Sequence, residues 1–65
     1  MERKTPSDPT FFTERTLAVY LSVSDWTIRN WIRRGELPSY KLGASRRIDP
    51  ADVDAFLEAR REEAV

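Results

Sequence analysis

The stretch Thr27-Ile28-Arg29-Asn30-Trp31-Ile32-Arg33-Arg34-Gly35 admits few structures. Ile28, Trp31 and Ile32 are spaced i, i+3, i+4, which gathers them on one stripe of a helix. At about 100° per residue, with Ile28 at zero, Trp31 falls at roughly 300° and Ile32 at roughly 40°. The opposite side holds Trp26 at roughly 160°, Asn30 at roughly 200° and Arg33 at roughly 140°, with Arg29 and Arg34 on its flanks. Ser24 is positioned to cap the start, with Asp25 in the first turn. Gly35 suits the left-handed position that ends a helix, and Arg33 and Arg34 suit the negative end of its dipole. A second helical pattern lies just upstream. Leu17, Ala18 and Leu21 share a face from Glu14 to Leu21, Thr13 is the N-cap, and Phe12 and Leu17 stand at the two positions of a hydrophobic staple. Only Ser22-Val23-Ser24 separates the two helices.

Downstream, Leu37-Pro38 breaks away from the second helix. Tyr40 and Leu42 alternate with Lys41 as on a half-buried strand. Gly43-Ala44-Ser45 turns the chain, and Arg46-Arg47-Ile48 returns as a second strand. A hairpin of two short strands is marginal alone and must lean on the helices. Asp49-Pro50-Ala51-Asp52 starts a third helix, with a cap, a proline at N1 and an acid at N3, and Val53, Phe56 and Leu57 form its apolar face. Residues 1–10, with Pro6 and Pro9 and no apolar period, read as a flexible tail ahead of one domain spanning 11–65. The expected fold is mostly α with a small β-hairpin, three helices plus a two-stranded wing. Its expected core is Phe12, Leu17, Ala18, Leu21, Val23, Ile28, Trp31, Ile32, Leu37, Tyr40, Leu42, Ile48, Val53, Phe56 and Leu57.

Composition narrows the chemistry. With 65 residues, 40% of them apolar, the chain can bury one small core but not build a deep enzyme cleft. It has no cysteine and no histidine. Disulfides and thiolate metal sites are therefore excluded, and the commonest metal ligand and neutral-pH base are missing. No nucleophile–base pair or spaced acidic loop is visible, so no catalytic residue, metal or cofactor is expected. No apolar run approaches the roughly 18 residues of a membrane helix, and no apolar segment follows Met1-Glu2-Arg3-Lys4 as in a signal peptide. The expected location is the cytoplasm, with no membrane partner.

The net charge is zero, but it is unevenly spread. Residues 27–47 carry six cations against Glu36 alone, whereas residues 48–65 carry two cations against six acids. A basic patch of this kind is the usual footprint of nucleic-acid binding. Two short helices with a three-residue connection, the second one basic, are what a helix-turn-helix needs to reach a DNA major groove. The candidate groove residues are Trp26, Arg29, Asn30 and Arg33. An arginine there can bond guanine O6 and N7 together, and Asn30 can pair with adenine N6 and N7. Trp26 either touches a thymine methyl or sugar edge, or packs on the wing or on a protein partner. Ser24, Thr27 and Arg34 are candidate phosphate contacts. Lys41, Arg46 and Arg47 are candidate wing contacts in a minor groove, or else cations that blunt an exposed strand edge.

An ordered set of motifs adds to this. Phe12-Thr13, Ala18-x-Tyr20-Leu21 with Val23-Ser24, and Thr27-Ile28-x-x-Trp31-Ile32-x-x-Gly35-x-Leu37-Pro38 follow one another. Tyr40-Lys41-Leu42-Gly43, Arg47-Ile48 and Asp52-Val53-Asp54-Ala55-Phe56-Leu57 complete the order. Over about residues 11–60 the chain resembles the excisionase family of small winged helix-turn-helix proteins, relatives of the DNA-binding domain of MerR-type regulators. The resemblance implies a second helix in the major groove, a wing on the minor groove or backbone, and no enzymatic activity. It also implies cooperative binding to tandem sites on double-stranded DNA, DNA bending, an integrase partner, and action at the nucleoid of a bacterial host. A small transcriptional regulator would use the same interface. A protein–protein adaptor, whose basic helix meets an acidic partner, is the reading from another class.

Overall fold

The computed structural model describes residues 10–62, so the tail expected over 1–10 lies, except for Thr10, outside the described residues. Three helices and one hairpin follow in order: α1 (Glu14–Leu21), α2 (Asp25–Arg33), β1 (Tyr40–Leu42), β2 (Ser45–Arg47) and α3 (Pro50–Ala59). Among the described residues no helix is long and apolar enough to cross a membrane.

Local chemistry sets each helix boundary. Thr13 Oγ1 accepts from the Thr16 N–H at 3.0 Å, and the Thr13 N–H donates back to Thr16 Oγ1 at 2.8 Å. This is a capping box with threonine in the place usually taken by Glu or Gln. Ser24 Oγ accepts from the Thr27 N–H at 3.1 Å to start α2. Asp49 Oδ1 accepts from the Ala51 N–H at 2.8 Å ahead of Pro50 in α3.

The ends of α1 and α2 share one bonding pattern. The Val23 and Ser22 N–H groups donate to the carbonyls of Ala18 and Val19, and the Glu36 and Gly35 N–H groups donate to those of Trp31 and Ile32. Both are Schellman closures, which need a left-handed residue. Gly35, at φ +76°, fills that role for α2. Ser22, at φ +58°, fills it for α1 and is the one described non-glycine residue with positive φ. Its left-handed backbone turns the chain within the three residues that separate the helices.

The hairpin pairs Tyr40 with Arg47, Lys41 with Arg46 and Leu42 with Ser45, antiparallel. Its loop is Gly43-Ala44. Positive φ at Gly43, 65°, followed by negative φ at Ala44 is the combination of a type II′ turn, whose twist suits a two-residue hairpin. The returning strand is thus Ser45–Arg47, one residue earlier than the sequence suggested. Ile48 leaves the hairpin and pairs with Phe12 instead. The Phe12 N–H donates to the Ile48 carbonyl at 2.9 Å, and the Ile48 N–H donates to the Phe12 carbonyl at 2.8 Å.

Leu17, Ala18, Ile28, Leu37, Ile48, Val53 and Phe56 are buried together, with Phe12, Leu21, Val23, Trp31 and Ile32 packed around them. Three expected core members are not there. Tyr40 is 49% exposed, Leu42 53% and Leu57 39%. Leu37 and Ile48, on either side of the hairpin, close the core, so the hairpin's own side chains are not needed inside. Tyr40 instead meets Phe11 edge-on at 5.8 Å between ring centroids. On α3, Val53 and Phe56 take the inner stripe and leave Leu57 at its edge.

Candidate nucleic-acid interface

Burial of Ile28 against α1 decides which side of α2 faces outward. Trp26 is 64% exposed, and Arg29 and Arg33 are also exposed. Asn30 is half-buried, the least accessible of the four candidate groove residues. Trp31 turns inward, its ring 4.7 Å from that of Phe56. Among the described residues Arg33 has no ionic or hydrogen-bonded partner, which leaves a full positive charge on the outer face of α2.

Arg29 is tethered. Its Nη2 and Nε lie 3.3 and 3.4 Å from the same Oε1 of Glu14, the first residue of α1. A second pair, Arg15 Nε to Asp25 Oδ2 at 3.2 Å, joins the same two helices. Exposed pairs of this kind contribute little stability, about 0–1 kcal/mol. They fix where charges stand.

The candidate phosphate contacts are spread apart. Ser24 and Thr27 meet at the start of α2, their hydroxyl oxygens 2.9 Å apart, with Asp25 in the same first turn. Arg34 sits at the far end of α2 and pairs with Glu36 at 3.2 Å. Glu36 also holds Arg60, whose guanidinium lies 3.9 Å over the Phe56 ring and 5.6 Å from that of Trp31. This second cluster ties the end of α2 to α3.

The wing cations gather. Lys41, Arg46 and Arg47 line an open cleft of about 400 Å³, whose opposite wall is Thr13, Glu14 and Arg15 at the start of α1. Arg46 Nη1 donates to Ser39 Oγ at 3.0 Å, and Arg47 Nη1 donates to the Arg46 carbonyl at 3.2 Å. Lys41 has no partner among the described residues. Lys41 and Arg46 are directly opposed in the register, an arrangement of like charges that is unfavourable unless an anion lies between or beside them.

Sequence reasoning missed both helical charges in this wall. Arg15 brings the cleft to four cations against one carboxylate, although it lies far from the hairpin in sequence. Its signal was local. A cation in the first turn of a helix opposes the helix dipole, and such a locally unfavourable choice points to a longer-range role.

Two helices joined by a tight turn, the second with an exposed cationic face, and a hairpin beside them define a winged helix-turn-helix. The family model described as a helix-turn-helix domain matches residues 11–61, and the chain belongs to that family. It is a DNA-binding family, and the fold supports DNA as the partner. No curated protein and no solved structure gives a significant match.

Proposed function

We propose that this protein binds specific duplex sequences through two grips and acts as an architectural factor, an excisionase that directs an integrase toward excision. The observation that carries the DNA reading is the convergence of Lys41, Arg46 and Arg47 with Arg15 around one open cleft, beside the exposed α2 face. Trp26, Arg29, Asn30 and Arg33 are assigned to the major groove, and Ser24, Thr27 and Arg34 to phosphates. The hairpin cations are assigned to the adjacent minor groove or its backbone. Membership of the helix-turn-helix family supports DNA binding, and the likeness of the ordered motifs from Phe12 to Leu57 to those of excisionases supports that role. In this role the protein breaks no bond. It bends DNA and positions the enzyme that does.

The uneven charge supports cooperative assembly on tandem sites, the acidic surface of α3 and of the residues just after it in one copy facing the basic surface of the next. Glu58→Lys combined with Glu62→Lys should then reduce cooperativity on paired sites without weakening single-site binding.

Excision in vitro with a cognate integrase, with and without this protein, tests the whole reading. Stimulated excision supports it. Specific, bending DNA binding with no effect on excision would assign the same interface to a transcriptional regulator. No binding to any duplex at low salt would favour an adaptor with an acidic protein partner.

A further inference from the structure

We infer that Glu14 is a specificity-determining residue, which holds Arg29 in the orientation that reads a guanine; this rests on the proposed DNA reading. The guanidinium has two usable edges. Its Nε and one Nη2 hydrogen form the side edge, and both nitrogens of that edge approach Glu14 Oε1. The end-on fork, made by Nη1 and the other Nη2 hydrogen, meets no partner among the described residues. That fork has the spacing of guanine O6 and N7.

The two partners also differ in access. The Glu14 side chain is 26% exposed and that of Arg29 is 53% exposed, so the guanidinium is the more accessible of the two. The Glu14 backbone is itself fixed, as the first residue of a helix closed by the reciprocal Thr13–Thr16 cap. A free arginine must immobilise several torsions to form a bidentate contact, whereas one already tethered has fewer left to lose.

A carboxylate at a DNA-facing surface repels phosphate and lowers affinity for every sequence. The proposed role therefore has a signature that a purely structural ion pair lacks. Removing the charge should raise general affinity and lower discrimination at one base pair.

The test begins with selection from a duplex library randomised over two helical turns, using the intact protein and Arg29→Ala, Glu14→Ala and Glu14→Gln. Binding to the winning duplex, its single-pair variants and a scrambled duplex is then measured by fluorescence anisotropy, with thermal melts as a folding control. The intact protein should prefer G·C at one position by about 5- to 150-fold, a preference that Arg29→Ala abolishes. Both Glu14 variants should weaken that preference by up to about fivefold, and both should bind the scrambled duplex more tightly at low salt. Unchanged preference in both Glu14 variants, or an Arg29→Ala variant that keeps every base preference, would overturn the role of Glu14 while leaving salt-sensitive duplex binding in place. An intact protein that binds no duplex would overturn the DNA reading and this inference with it.

Discussion

The hairpin charges allow a quantitative test because their partners are known. Lys41 has none among the described residues, and the Arg46 guanidinium meets only Ser39 Oγ there. Replacing both with glutamine should therefore change stability by less than about 1 kcal/mol. If both meet DNA phosphates, each removal lowers the slope of log affinity against log salt by about 0.9. An intact protein that neutralises roughly five phosphates has a slope near −4.5, so its affinity falls about 500-fold from 50 to 200 mM salt. The double variant, with a slope of about −2.7, should fall only about 40-fold over the same range. Arg60→Gln is the matched control. Its guanidinium is engaged by Glu36 and lies over Phe56 and Trp31, on the side tied to α3. That variant should lower the melting temperature and leave the slope unchanged. Anisotropy titrations on one labelled duplex at four salt concentrations measure both. A double variant with the wild-type slope, or an Arg60→Gln slope that drops as far, would refute the assignment of the hairpin to DNA.

Three stability measurements bear on the fold. Ser22→Gly should stabilise by about 0.5–1 kcal/mol, because glycine takes the left-handed backbone without strain. In a domain of this size about 1 kcal/mol raises the melting temperature by roughly 4–8 °C, and an unchanged or lower value would contradict strain at Ser22. Gly35→Ala should cost about 1 kcal/mol through the backbone alone, since an added Cβ meets nothing within 4 Å. A much larger loss by chemical denaturation would mean that the site is more crowded than the structure shows. Trp31→Ala removes a ring that packs on Phe56 and lies near Arg60, and should cost about 3 kcal/mol. A circular dichroism melt as cooperative and as late as the wild type's would contradict the place of Trp31 in the core.

Helix boundaries were legible in the sequence because they depend on neighbours. Thr13, Ser24 and Asp49 cap where their side chains could reach the backbone, and Gly35 ends α2 where a left-handed residue was needed. The division of α2 into an inner stripe and an outer face followed from its period. What depends on distant partners was not legible. Alternation made Tyr40 and Leu42 look half-buried, but alternation says only that two faces differ, and Ile48 had already closed the core beneath them. The period placed Arg29, Asn30 and Arg33 on one outer face but not their surroundings there: Arg29 is tethered by Glu14, Asn30 is half-buried and Arg33 has no partner among the described residues. Arg15 joined the wing cleft through the packing of α1, which no local pattern encodes.

The bridge between Phe12 and Ile48 has a consequence for the order of events in folding. Its two residues are separated by the whole interval that holds α1, α2 and the hairpin, whereas α1 and α2 meet across three residues. Loop closure favours the short-range contact, so the helical pair assembles early and the bridge locks late. By the same reasoning the bridge opens at lower cost than the helical pair. The resulting excursion frees the hairpin together with the segment leading into α1, and leaves the paired helices standing. Amide hydrogen exchange at Phe12 and Ile48 should therefore report a partial opening, faster than exchange at Leu17 or Ile28, in which the molecule loses its wing before it loses its fold.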